Sequence, residues 1–183
     1  MTTPVTVTPD PALELAHGIL MDAFGRVREA VPAVVDGLSV GELLWRPDPS
    51  ANSIAWLLWH LTRVQDDHLA HLAAEDQVWT GQGWSERFAL PYDVSALGYG
   101  QRAEEVSAFV LSDPQLLVGY HEAVHDLTAG IVRAMSVEDF ERVVDERWDP
   151  PVTAVVRLVS VVNDITQHLG QAAYVKGLVE RRR

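Results

Sequence analysis

Apolar residues recur at helical spacing in four long stretches of the chain. In the first stretch they are spaced three, four or seven residues apart, and Asp10 precedes Pro11 as a helix N-cap. Each of the other three stretches also follows a start signal, either an Asp or Ser residue in a capping position or a pair of prolines. We therefore predict four long helices. They cover residues 11–36, 52–75, 113–135 and 151–175.

The connections between these helices differ in length. Residues 37–51 contain two prolines and are predicted to form a loop, whereas residues 76–112 form a long insertion rich in Gly and aromatic residues. A short helix is expected near residues 102–111, and residues 142–148 are expected to be extended. The prediction is a single all-α domain over residues 1–183. It is a four-helix bundle with a long crossover insertion between helices two and three and a short disordered tail at 178–183.

Composition and charge narrow the classes of function. A chain of 183 residues fits one domain, and no apolar run is long enough to cross a bilayer. The formal net charge of −12 repels phosphate backbones, so we expect neither a nucleic-acid nor a membrane partner. The absence of cysteine excludes disulfides and thiolate ligands, and together with the absence of a secretory signal it favours a cytoplasmic location.

Two of the predicted helices carry side chains suited to binding a metal ion. On the fourth helix, Asp164 and His168 are four residues apart and so share one helix face. On the second, His60 lies among large apolar residues. If the two helices pack antiparallel, all three side chains lie near the middle of the bundle and could bind a divalent cation with open positions. A structural Asp–His hydrogen bond and a core histidine remain the alternatives.

A second candidate motif lies on the third helix. His121, Glu122 and His125 match the H-E-x-x-H pattern of zinc proteases, but the downstream histidine of the extended motif is missing. A protease would also need an edge strand to align its substrate, and the chain offers little strand. One of these two histidines, or Tyr120, could instead line the same pocket as His60. The alternative for the histidines is a position at the surface or at an interface.

Residues 52–72 and 163–177, NSIAWLLWHLTRVQDDHLAHL and NDITQHLGQAAYVKG, resemble the two signature stretches of the DinB-like superfamily. The resemblance covers nearly the whole chain. It is closest to the branch of mycothiol-dependent maleylpyruvate isomerases and their uncharacterised relatives. It implies a bundle with an up-down-down-up order of helices.

The resemblance also implies a metal site. The family binds its metal with one histidine of helix two, matched by His60, and an H-x-x-x-H pair of helix four, whose last position is His168. Asp164 stands where many members have histidine and where the isomerase branch has glutamate. The resemblance thus implies a divalent metal held by His60, Asp164 and His168, with zinc as the first choice and nickel or iron as alternatives.

Three functions are compatible with these residues. The resemblance implies an enzyme of transferase or isomerase type that uses a low-molecular-weight thiol, mycothiol or a similar one, on a small electrophilic substrate. A metal-dependent hydrolase without thiol and a non-enzymatic metal-binding or stress-response module are the alternatives. Arg46, Arg63 and Arg157 are candidates for binding a substrate carboxylate. A homodimer formed through a helical face is compatible with the sequence.

Overall fold

A computed structural model describes residues 10–182. The four predicted long helices are present as α1 (Pro11–Val35), α3 (Ile54–Ala73), α7 (Gln115–Ala134) and α9 (Ala154–Glu180). The shorter helices are α2 (Val40–Leu44), α4 (Val78–Gly81), α5 (Trp84–Phe88), α6 (Ala103–Ser107) and α8 (Val137–Glu141). A small antiparallel pair, β1 (Val143–Asp145) and β2 (Val152–Thr153), precedes α9.

The long helices form a ring in which α3 lies between α7 and α9, and α1 closes the other side. His17 near the start of α1 bonds to the carbonyl of Met135 after α7, so these helices are antiparallel. Lys176 near the end of α9 donates to the Asp36 carbonyl after α1, so α1 and α9 are parallel.

Helices α3 and α7 are parallel, because Thr62 meets His121 and Gln65 meets Thr128, later on both helices. With the directions of α1, α7 and α9, this gives an up-down-down-up order. The all-α bundle with a crossover between its second and third long helices is therefore confirmed.

Capping side chains define where the long helices begin. Asp10 accepts from the Ala12 amide at 2.9 Å, and the Ser53 hydroxyl accepts from the Trp56 amide at 3.2 Å. Asp113 accepts from the Gln115 amide at 2.8 Å. These bonds satisfy amides that the first helical turn leaves unpaired. Each predicted start is correct to within a few residues.

Two sequence-based boundaries are wrong. The connector at 37–51 contains α2, which begins with a capping box between Ser39 and Glu42. Helix α9 does not end at residue 175, as predicted, but continues to Glu180, so residues 178–180 do not belong to a disordered tail. The helix continues because Val175 and Val179, four residues apart, are both buried against the core. Arg183 lies outside the described residues.

The insertion is folded onto the bundle. It carries α4 and α5, which were not predicted, and α6, which is shorter than expected. Trp79, Trp84 and Phe88 pack around the ring of Tyr120 on α7, with ring centroids 5.2 to 5.9 Å apart. Within residues 10–182, no helix combines the length and apolar character needed to cross a membrane.

Candidate metal centre

The structure brings His60, Asp164 and His168 together at the interface of α3 and α9. One potential ligand atom from each residue lies within 4.8 Å of the other two. The imidazole rings of His60 and His168 meet edge to face, with centroids 4.7 Å apart. His60 is buried, whereas the side chains of Asp164 and His168 keep 38% and 20% of their exposure, so the cluster opens to solvent on the α9 side.

His60 is fixed by the insertion. Its Nδ1–H donates to the carbonyl of Leu97, and its ring stacks on Trp56 with centroids 4.8 Å apart. Because a carbonyl can only accept, Nδ1 carries the proton and Nε2 keeps its lone pair. Burial lowers the pKa of His60, and the bond to Leu97 opposes this effect only in part. The side chain is therefore a neutral imidazole near pH 7, the form that binds metals.

His168 is held in a similar way by its own helix. Its Nδ1 lies 3.1 Å from Oε1 of Gln171, which accepts its proton and leaves Nε2 with a lone pair. Oδ2 of Asp164 lies 3.7 Å from that Nε2, too far for a hydrogen bond. Oδ1 of Asp164 is buried and has no hydrogen-bond partner among residues 10–182.

This arrangement suits a divalent cation. Two ligands of a tetrahedral ion at ~2.1 Å each are ~3.4 Å apart, so separations of 3.7 to 4.8 Å need only small side-chain rotations. Two imidazole nitrogens and a carboxylate oxygen face one another with no proton donor between them. Such a group of acceptors is mutually repulsive without a cation. The donor set fits zinc, nickel or iron(II) and leaves coordination positions open.

Tyr120, His121 and His125 do not line this centre. Thr62 lies about 200° around α3 from His60, and its hydroxyl bonds to Nδ1 of His121 at 3.1 Å, so His121 faces α7 rather than α9. Tyr120 points to the insertion, and all three side chains are buried. The expectation of a shared pocket is therefore corrected, and the two histidines are not at the surface but buried. Burial lowers the pKa of His121 to about 3.

The H-E-x-x-H motif does not have the geometry of a protease. In that motif the glutamate must activate water beside the two histidines. Glu122 instead points to the surface of the bundle, where its carboxylate lies 3.3 Å from Arg28 of α1. The histidines are buried between helices, and Nδ1 of His121 is bound to Thr62.

The three arginines considered for substrate binding already have protein partners. Arg46 donates to the carbonyls of Ala51 and Ala103, at 2.5 and 3.2 Å. Arg157 pairs with Asp145 at 3.1 Å, and Arg63 is completely buried. The sequence could identify these residues as cations but could not show that they already bind protein groups. Arg63 is thus shielded from solvent, and Arg46 and Arg157 would have to bind a substrate carboxylate in addition to their protein partners.

Sequence reasoning missed the groups that orient the two histidines. The Leu97 carbonyl belongs to the backbone of an irregular segment, so no residue type indicates it. Gly98, next to it, has φ +90°, and an added Cβ would lie 2.9 Å from Nδ1 of His60. A glycine in the insertion was therefore the only sequence signal. Gln171 was visible as a polar residue three positions after His168 but was not singled out.

Comparisons with known proteins place the chain among relatives. A family model described as mycothiol S-transferase matches residues 19–180. A crystal structure of a conserved protein from Enterococcus faecalis is 33% identical, with a TM-score of 0.84, and the match covers 88% of this chain and 95% of that one. No protein in the curated set matches the chain.

Proposed function

The chain belongs to the mycothiol S-transferase family, and from this membership we propose that it transfers a low-molecular-weight thiol to a small electrophile at a metal centre formed by His60, Asp164 and His168. The observation that carries the metal part is the convergence of three acceptor atoms, with both histidine protons directed away from them. A hydrogen-bonded structural cluster would instead place a donor between the acceptors.

The protein residues would supply the ligands and the opening. His60 and His168 would each bind through Nε2, and Asp164 would add one negative charge and leave positions free for a ligand. A divalent ion held there would act as a Lewis acid that lowers the pKa of a thiol near it. The indole of Trp56 covers one face of His60 and shields that ligand from water.

A cleft that shares Gln171 with the centre, but is not lined by His60, Asp164 or His168, could hold a small-molecule ligand. It measures about 600 Å³ and lies between the start of α3 and the end of α9, and Gln171, the partner of His168, forms part of its wall. Asn52 and Tyr174 add polar groups, and Leu57 and Val175 add apolar ones. A mixed lining of this kind suits a polar thiol such as mycothiol better than an extended polymer.

The reaction class defines the test. The thiol sulfur forms a bond to an electrophilic carbon, the thiol proton is released, and a leaving group departs or the adjacent carbon is protonated. The metal-stripped protein would be reloaded with Zn²⁺, Ni²⁺ or Fe²⁺ and mixed with mycothiol and a fluorogenic bimane electrophile. Conjugate formation would be followed by mass spectrometry and fluorescence.

We expect conjugation that requires both thiol and metal, is lost in His168→Ala, and is retained in Asp22→Asn, which changes an exposed acid paired with Arg26. Turnover of ester or amide substrates without thiol would favour the hydrolase alternative. Zinc binding without either reaction would favour the non-enzymatic module. Wild-type conjugation rates in His168→Ala would refute the proposed centre.

A further inference from the structure

Residues 94–101 of the insertion, called the strap here, lie against His60. The Leu97 carbonyl accepts the Nδ1 proton of His60. At Gly98 an added Cβ would come within 2.8 Å of the Trp56 ring, and φ is +90°, a conformation that favours glycine. Trp56 in turn donates from Nε1 to Oε1 of Gln101, at 2.8 Å. The strap thus contacts both His60 and the aromatic ring stacked on it.

Two side chains of the protein interior hold the strap in place. Nε of Arg63 donates to the carbonyl of Ala96 at 3.3 Å, one residue before Leu97. Nε1 of Trp79 donates to the carbonyl of Val94 at 2.9 Å. The guanidinium of Arg63 also lies over the Trp79 ring, 5.0 Å from its centroid. Both hydrogen bonds therefore hold the N-terminal part of the strap, just before Leu97.

A buried polar network holds Arg63 itself. Its Nη1 donates to Oε1 of Gln77 at 2.9 Å and to the Tyr120 hydroxyl at 3.3 Å, and it lies 3.5 Å from Oδ2 of Asp66. The Asp66 carboxylate accepts from Tyr120 and from two amides of α4, each at 2.8 Å. Arg63, Asp66 and Tyr120 are all fully buried.

A network of this kind is a poor source of stability. Removing two charges from water costs several kcal/mol per ion, and apolar side chains of similar size often stabilise a protein as well or better. Nη2 of Arg63 even lacks a hydrogen-bond partner among residues 10–182. The physical gain that the network does provide is geometric, since it fixes the guanidinium that binds the Ala96 carbonyl.

We propose that the strap, anchored by Arg63 and Trp79, positions the metal ligand His60 by fixing its Nδ1–H tautomer. Without the Leu97 acceptor, the imidazole would exchange between tautomers and rotate, and Nε2 would be protonated part of the time. Ligand histidines in proteins are typically oriented in this way, and loss of the orienting partner costs 10–100-fold in metal affinity. This inference rests on the proposed metal centre, but the tautomer itself does not depend on a metal.

The test reads the tautomer directly in the metal-free protein. The ¹⁵N shifts of the His60 ring, measured by two-bond ¹H–¹⁵N correlation at about pH 8, where histidine is neutral, distinguish a protonated from an unprotonated nitrogen. Zinc affinity is measured by competition with a chromophoric chelator. The variants are Arg63→Lys, which keeps the charge beside Asp66 but loses the Nε donor to Ala96, and Trp79→Phe.

The matched control is Thr128→Val, which removes a buried hydroxyl that accepts from Gln65 at 2.8 Å and that takes no part in the hydrogen bonds of Arg63, Trp79 or the strap. We expect Nδ1–H alone in the wild type, mixed tautomers in both strap variants, and zinc affinity reduced about 10–100-fold in them. Thr128→Val should keep the wild-type tautomer and zinc affinity even where its melting temperature falls.

Two results would overturn the inference. One is an unchanged tautomer with unchanged zinc affinity in Trp79→Phe or in a folded Arg63→Lys. The other is an equal loss in Thr128→Val, which would reduce the effect to general destabilisation. A wild-type protein that binds none of Zn²⁺, Ni²⁺ and Fe²⁺ would refute the proposed metal centre, while the tautomer shifts would still decide whether the strap orients His60.

Discussion

The substitution Asp164→Asn should change the stability of the metal-free and zinc-bound proteins in opposite directions. Asn has nearly the same shape and helix propensity as Asp but no charge. In the metal-free protein Asp164 has a buried Oδ1 with no hydrogen-bond partner among residues 10–182, and its Oδ2 is 3.7 Å from Nε2 of His168. The carboxylate is therefore desolvated without a compensating hydrogen bond, and removing its charge should be favourable.

The magnitudes follow from burial and ligand linkage. Asn keeps a neutral polar group where Asp has a charged one, and an unpaired buried charge costs more than an unpaired neutral group; the 38% exposure of the Asp164 side chain limits the gain to about 1 kcal/mol. A gain of about 1 kcal/mol raises the melting temperature of a domain of this size by about 2–4 °C. Zinc at 100 times its dissociation constant stabilises the wild type by about 2.7 kcal/mol, or about 5–11 °C.

Loss of a residue that only orients a metal ligand weakens metal binding about 10–100-fold. Loss of the ligand itself should weaken zinc binding at least as much. With 100-fold weaker binding, the same free zinc would stabilise Asp164→Asn by only about 0.4 kcal/mol. Differential scanning calorimetry on both proteins, with chelator and with buffered zinc, measures all four melting temperatures. Asp22→Asn controls for the loss of one negative charge.

The alternative of a structural Asp–His pair predicts the opposite sign. If Asp164 accepts a stabilising hydrogen bond from His168, the unfolding free energy of the metal-free variant should be about 1 kcal/mol below that of the wild type, and its melting temperature should be lower. A lower melting temperature in chelator, together with a full zinc shift, would refute the reasoning from unpaired acceptors.

Other predictions test the site and the bundle separately. Gly98→Ala should cost about 1–2 kcal/mol from its φ of +90° alone and should also weaken zinc binding by displacing His60, as thermal melts and chelator competition would reveal. His121 should show no NMR titration from pH 8 down to about pH 4, because burial lowers its pKa to about 3. Since its unfolded pKa is ~6.5, stability should fall as pH drops through that window, and a His121 pKa near 6.5 would contradict the burial. Hydrogen bonds from Arg147 hold the pKa of Asp145 well below its usual range, so its stabilisation is present above pH ~4 and lost on acidification. Asp145→Asn should therefore lower the unfolding free energy in urea at neutral pH, and the effect should shrink steadily as the pH falls below ~4 towards the lowered pKa of the folded protein.

The sequence was sufficient to predict the bundle and the three converging side chains. Helical periodicity with capping residues located each long helix, because local hydrogen bonding and burial of one face determine those elements. A spacing of four residues placed Asp164 and His168 on one face of α9, and an antiparallel α3 brought His60 opposite them. These are regular features with regular sequence signals.

The insertion could not be predicted from such signals. Its short helices and the strap are held by single long-range bonds, such as that from Trp79 to Val94, rather than by a repeating pattern. The acceptor for His60 is a main-chain carbonyl 37 residues away. Every residue type offers such a carbonyl, so no residue identity marks it. Helix α2, in contrast, did have a sequence signal, because Ser39 and Glu42 form a capping box. The two prolines nearby favoured the prediction of a loop instead.

A comparison of two buried histidines explains why the more specific sequence motif does not contain the better candidate for a metal ligand. His60 and His121 are both neutral, and each donates its Nδ1 proton, one to Leu97 and the other to Thr62. His121 belongs to the more specific sequence motif, yet Glu122 of that motif turns outward to Arg28. A histidine becomes a ligand because further acceptors face its free nitrogen, and that depends on the neighbouring helix. Within the described part of the chain, residues 10–182, only α9 presents two such acceptors to a buried histidine, so the weaker motif has the stronger case for a metal.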